Sequence, residues 1–156
     1  MRITKFPSAF DSYTPPEQKV YGCICISPTN KVLLVKGRKG QIWSFPKGHR
    51  ERADRTGLAC ALRELKEETG ITLKNDYIAY KKYKAGEYYI FPVAEEFRTF
   101  PIDTVEVDAA EWFTYEEICL LKKNIDVSLF CQYIQKKILP EESCLEPILP
   151  QSSISA

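Results

Sequence analysis

Apolar and polar positions alternate or repeat along this chain in a way that sets out a mixed α/β order. Val20-Tyr-Gly-Cys-Ile-Cys-Ile26 is apolar throughout and reads as a buried strand. Pro28-Thr-Asn-Lys31 has turn chemistry, and Val32-Leu-Leu-Val35 reads as the returning strand. A basic glycine loop, Lys36-Gly-Arg-Lys-Gly40, leads to a short strand over Trp43-Ser-Phe45. From about 56 to 69 the apolar period lengthens: Leu58, Ala61, Leu62 and Leu65 share one face of a helix. Tyr77 to Lys84 and Tyr88 to Phe97 predict a hairpin around Ala85-Gly86, and Glu111-Trp-Phe113 another short strand. Thr114-Tyr-Glu-Glu117 has the form of a capping box opening a helix through Leu121. Asp126 reads as the cap of a last helix, with Val127, Phe130, Cys131, Ile134 and Ile138 at helical spacing. The expected organisation is an irregular, Pro-rich arm over 1–17, one domain over 18–139, and a poorly ordered Pro-, Ser- and acid-rich tail over 140–156.

The helix near 56–69 carries an unusual second face. Glu64, Glu67 and Glu68 fall within about 100° of one another. Like charges at i, i+3 and i+4 repel, at a cost of a few tenths of a kcal/mol per pair. A hard divalent cation reverses that cost, because carboxylate oxygens are what magnesium binds, often sharing its shell with substrate phosphates. Glu-rich helix faces are usually no more than solvated surface. Here, however, Arg63 stands beside the acids, Gly70 follows at a C-cap position, and Phe45-Pro46-Lys47-Gly48 precedes them with turn chemistry.

Arg63-Glu64-Leu65-Lys66-Glu67-Glu68-Thr69-Gly70-Ile71 matches, at every specified position, the second half of the Nudix signature, Arg-Glu-U-x-Glu-Glu-x-Gly-U with U bulky and apolar. The chain resembles the Nudix hydrolases over roughly 18–138. The resemblance implies an α/β/α sandwich with a mixed sheet and a loop-helix-loop catalytic segment. It also implies hydrolysis of a pyrophosphate bond in a nucleoside diphosphate linked to another group, with Mg2+ or Mn2+ as cofactor. On that pattern Glu67 and Glu68 are metal ligands and Glu64 is shared between ligand and base. Arg63 orients the carboxylates, the Gly48 carbonyl is a further ligand, and Gly70 ends the helix. The first half of the signature departs from the family. Its Glu is here Asp54, followed by eight residues rather than seven before Arg63. Asp54 either reaches Arg63 as the family's bracing acid or caps the helix, and Glu51 is a second candidate for the brace.

Composition narrows the setting. At 156 residues, 44% apolar and 28% charged, the chain fits one soluble globular domain. A net charge of +1 gives no global attraction to nucleic acid. Met1-Arg-Ile-Thr-Lys-Phe-Pro lacks the apolar core of a signal peptide, and no apolar run approaches the ~18 residues of a membrane span. The cytoplasm, or the nucleus, is the expected compartment. Six cysteines lack zinc spacing and read as small core residues of a reducing compartment. His49 is the only histidine, which excludes histidine-dyad mechanisms.

Lys36, Arg38 and Lys47 are the expected phosphate-binding cations, with Lys39 beside them and Lys81, Lys82 and Lys84 as a second cluster. Val105-Glu106 through Trp112 resembles the segment of mRNA decapping enzymes in which a Glu six residues before Trp enters the metal site, which makes Glu106 a further candidate ligand. Pro46-Lys47-Gly48-His49 is equally similar to dinucleoside polyphosphate hydrolases. The resemblance therefore implies a dinucleoside polyphosphate or a similar small nucleotide as first choice. Capped RNA and diphosphoinositol polyphosphates are alternatives, and a non-catalytic nucleotide-binding module is the rival from another class.

Overall fold

The computed structural model describes residues 19–137. The 1–17 arm and the 140–156 tail expected from composition lie outside the described residues. In chain order the elements are β1 (Val20–Ile26), β2 (Val32–Gly37), β3 (Trp43–Ser44), β4 (Lys47–His49), α1 (Gly57–Thr69), β5 (Ala79–Lys82), β6 (Glu87–Pro92), β7 (Val107–Phe113), α2 (Tyr115–Cys119) and α3 (Ile125–Lys137). The strands form one mixed sheet ordered β3-β2-β1-β6-β5, with β7 on β2 and β4 on β1. The pairing of β1 with β6 is parallel and the other pairings are antiparallel.

The sheet is split where the site lies. β1 and β2 pair only at Ile26 and Val32. Further along β1, its edge is taken by β4, with Tyr21 opposite Gly48 and Gly22 opposite Lys47. The sheet buries both faces. Ile24, Leu34, Phe45 and Tyr88 pack with Ile118, Val127 and Phe130 of α2 and α3. Tyr21, Cys23, Cys25, Leu33 and Phe91 pack with Cys60, Ala61 and Leu65 of α1. A fully buried side chain of this kind stabilises the fold by roughly 1.5–3 kcal/mol. The result is the helix-sheet-helix layering expected from the sequence, with α1 clamped by one face while its opposite face looks to the split.

Several boundaries differ from the pattern-based reading. β4 was not expected: Lys47-Gly-His49 has no alternation, and it pairs because β1 offers it an edge. β7 begins at Val107, four residues before the expected Glu111. α2 ends at Cys119 rather than Leu121. Asp126 is not a cap. Asn124 Oδ1 accepts from Val127 N at 3.0 Å and does that work. Asp126 lies inside α3, fully buried, where it accepts from Tyr88 Oη at 2.6 Å and from Ala85 N at 2.9 Å. Its charge fixes the β5–β6 hairpin to α3. The capping box of Thr114 and Glu117 is present as expected.

Candidate active site

α1 starts at an N-cap, Thr56, whose hydroxyl accepts from Ala59 N at 3.0 Å. It stops at Gly70, where φ is +80°, a left-handed conformation that costs glycine nothing. Gly70 N donates to Lys66 O at 2.8 Å, and Phe100 packs where a side chain on residue 70 would lie.

Arg63 is the hub of the polar face. Its Nε and Nη2 bond the two oxygens of Asp54 at 3.0 and 2.8 Å, a two-pronged pairing. Nη2 also donates to His49 O at 3.1 Å, while Nη1 reaches Glu64 at 3.1 Å and Glu67 at 3.2 Å. The two readings of Asp54 are thereby resolved in favour of the brace: Asp54 is buried against Arg63, and Thr56 takes the cap. Glu51 lies further out, 3.6 Å from Arg63 and largely exposed. The extra loop residue is absorbed in a turn. Asp54 N donates to Glu51 O, and Glu51 N to Asp54 Oδ2, at 2.9 and 2.8 Å. The shorter acid therefore spans the gap. Arg63 beside it holds the Asp54 carboxyl below the usual carboxylate range.

β4 lies against the same helix face. Lys47 N donates to Glu68 Oε1 at 3.2 Å, and the Cys60 thiol to Gly48 O at 3.5 Å. Glu64 covers Gly48 so closely that a Cβ there would fall 2.1 Å from its carboxyl carbon. Glu64 and Glu68 are both pushed upward. Burial raises Glu64 to about 7, against the opposing pull of Arg63, with Glu67 and Glu106 adding to the rise. Burial, then the Glu64 charge, raises Glu68 to about 8, opposed by the Lys47 backbone and ammonium. The Glu106 charge thus reaches both α1 acids, from an exposed side chain one residue ahead of β7.

The expected phosphate-binding cations are placed differently from one another. Lys36 and Arg38 share a counter-ion, Asp108, at 3.8 and 3.2 Å, and Lys36 also lies over the Trp43 ring. Lys47 sits beside Glu68. Lys81 stands over the Tyr133 ring, and Lys82 lies 4.0 Å from Glu87. Asp108 was missed as a partner because it lies 70 residues further along than Arg38, and its strand was expected to start later.

Glu64, Glu67, Glu68, Glu106 and the Gly48 carbonyl supply hard oxygen donors, and the raised Glu64 and Glu68 are groups that a cation would relieve. The donor chemistry fits a divalent metal. Among the described residues the acidic side chains do not already converge as a cluster of three or more. Arg63 engages Glu64 and Glu67 instead.

A family model described as the NUDIX domain matches residues 16–131. The chain belongs to the Nudix family. It is a Nudix hydrolase, and enzymes of this family generally use divalent metals. The chain is 36% identical over 106 residues to the m7GpppN-mRNA hydrolase of Saccharomyces cerevisiae, covering 62% of this chain and 11% of the yeast protein. It is 29% identical over 126 residues to mRNA-decapping enzyme subunit 2 of Arabidopsis thaliana, covering 74% of this chain and 34% of the plant protein. The chain thus spans about a tenth to a third of the length of these relatives. The crystal structure of a Caenorhabditis elegans Ap4A hydrolase binary complex superposes with a TM-score of 0.61 at 18% identity, covering 78% of this chain and 99% of that one. At that identity the likeness is one of fold. Among the described residues no helix is long and apolar enough to cross a membrane.

Proposed function

We propose that this Nudix hydrolase cleaves a phosphoanhydride bond in a 5′,5′-linked dinucleoside polyphosphate, with Mg2+ or Mn2+ as cofactor. The observation that carries the reading is the Arg63 hub. One guanidinium, braced by Asp54, holds Glu64 and Glu67 on the face that also bears Glu68. Bound metal would neutralise the developing phosphoryl charge and acidify the attacking water. Glu67, Glu68, Glu106 and Gly48 O are the residues that would hold it, with Glu64 shared between ligand and base. Water attacks phosphorus, the bridging P–O bond breaks, and two phosphate-terminated nucleotides leave. Glu64 suits proton transfer because burial places it near neutrality. Lys36, Arg38 and Lys47 supply positive charge towards the phosphates, Lys36 and Arg38 with Asp108 as their counter-ion.

The linkage occurs free, as in Ap4A, and at the end of a capped RNA. The chemistry at the metal is the same for both. Free dinucleotides are the first choice that the motif resemblance implies. The yeast and plant relatives favour the cap, and this is the form we place first. Glu67→Gln and Glu68→Gln are expected to fold normally, to lose at least ~100-fold in turnover, and to show that loss on cap dinucleotide and Ap4A alike. EDTA should abolish activity, and Mg2+ or Mn2+ restore it. Full turnover in EDTA would sink the proposal.

A further inference from the structure

The segment between β6 and β7 is tied to the end of the catalytic helix by its backbone. Phe100 N donates to Thr69 O at 3.0 Å, and Ile102 N and Asp103 N both donate to Glu67 O, at 2.9 and 2.8 Å. These carbonyls belong to the last turn of α1, which lacks partners within the helix. The Asp103 side chain then turns the chain. Its Oδ1 accepts from Val105 N at 3.1 Å and from Glu106 N at 3.2 Å, and Val107 N donates to Asp103 O at 3.2 Å. On the far side Arg38 N donates to Glu106 O at 2.9 Å, and Arg38 Nε to Thr104 O at 3.0 Å. Among the described residues, Asp103 is the one that bonds both the helix bearing Glu64, Glu67 and Glu68 and the backbone of Glu106.

We propose that Asp103 is a positioning residue for Glu106, fixing that carboxylate against the α1 acids through its own N–H on Glu67 O and its carboxylate on Glu106 N. The inference rests on the reading of Glu106 as a member of the metal-holding set. Two N–H groups converge on one Asp103 oxygen, so the bonds need an acceptor and not a charge. Asparagine can present the same Oδ1; alanine cannot. Loss of the acceptor frees the Val105 and Glu106 amides while leaving α1, held by its core face, as it was.

The test compares Asp103→Ala, Asp103→Asn, Glu106→Gln and the double variant Asp103→Ala/Glu106→Gln in the full chain. Amide hydrogen exchange without metal or substrate should rise at Val105 and Glu106 in Asp103→Ala, with α1 unchanged. Direct Mn2+ binding, followed by the spin-resonance signal of the free ion, should weaken by a similar factor in Asp103→Ala and Glu106→Gln. Turnover on cap dinucleotide should fall at least ~10-fold in each. The double variant should be no worse than Glu106→Gln, the non-additivity expected of residues acting through one another, and Asp103→Asn should recover to within ~3-fold of wild type. An impaired Glu106→Gln beside a normal Asp103→Ala overturns the role of Asp103 alone, as does additivity in the double variant. A fully active Glu106→Gln overturns the reading of Glu106, and Asp103 falls with it.

Discussion

The Arg63–Asp54 pair shows how one altered residue in a signature is accommodated. Asp54 is a methylene shorter than the family's Glu and stands one residue further from Arg63. Its loop closes by the reciprocal bonds of Glu51 and Asp54, so the carboxylate still meets the guanidinium with both oxygens. Asp54→Ala should lower the unfolding free energy by about 2–3 kcal/mol in urea, since it strands bonds to a charged group. It should also cut turnover at least ~10-fold by releasing Arg63. Glu51→Ala, at the exposed rim, should stay within ~1 kcal/mol of wild type. The Asp54 pKa is lowered in the fold, so its stabilising share is fully present above the unfolded value, near pH 4, and is lost as pH falls through the folded one. The gap between wild type and Asp54→Ala should therefore narrow in acid. Glu64 and Glu68 carry the opposite sign. Their folded pKa values, about 7 and about 8, lie above the unfolded ones, so the fold binds extra protons and loses stability as pH rises through that window. A cation competes with those protons. The rise in Tm produced by a fixed concentration of Mg2+ should be larger at pH 8 than at pH 5.5, and a pH-independent rise would count against these two acids as ligands.

The elements most legible in the sequence are those whose pattern and position agree. β1 was readable from end to end because seven successive residues have no polar break. α1 was readable because an apolar face and a terminal glycine point to the same span, although its cap proved to be Thr56 and not the Asp54 that the sequence offered. The polar face of α1 was readable as a site because three acids in two turns have no structural reason to be there. β4 was not legible, since its strand state comes from the free edge of β1 rather than from its own residues. The sequence does not single out Asp103, because its backbone bond to α1 is a tertiary contact across 36 residues. Asp126 was misread for a related reason: an acid in the first turn of a helix has the sequence look of a cap, whereas its partners come from a hairpin about 40 residues earlier. That misreading yields a prediction about how α3 is held. Asp126→Ala leaves the Ala85 N–H and the buried Tyr88 hydroxyl without their acceptor, and should cost about 2–4 kcal/mol in urea unfolding. Tyr88→Phe removes a single bond and should cost less. If Asp126→Ala is neutral, α3 is held by its apolar face alone.

At the scale of the whole molecule, charge is balanced locally as well as in total. The net charge is +1, and the basic loop after β2 shares Asp108 as a counter-ion. Lys81 is occupied by Tyr133, and Lys82 lies near Glu87. At the acidic face of α1 itself, Lys47 adjoins Glu68 and Arg63 adjoins Glu64 and Glu67, so a polyanion approaching the site meets a divided field rather than a uniform positive surface. Affinity for an RNA body comes largely from phosphates neutralised by Lys and Arg, and each such contact steepens the dependence on salt by about 0.7 for a single strand. With Lys36, Arg38, Lys81 and Lys82 partnered in this way, the enzyme should recognise the 5′,5′ linkage and gain little from the RNA behind it. Capped transcripts and cap dinucleotide should then be hydrolysed with kcat/KM values within about tenfold of each other. A plot of log(kcat/KM) against log[salt] on the transcript should be shallower than about −2, which corresponds to fewer than about three phosphates. A preference for long capped transcripts well beyond that, collapsing between low and physiological salt, would show a dedicated RNA-binding surface and overturn this expectation.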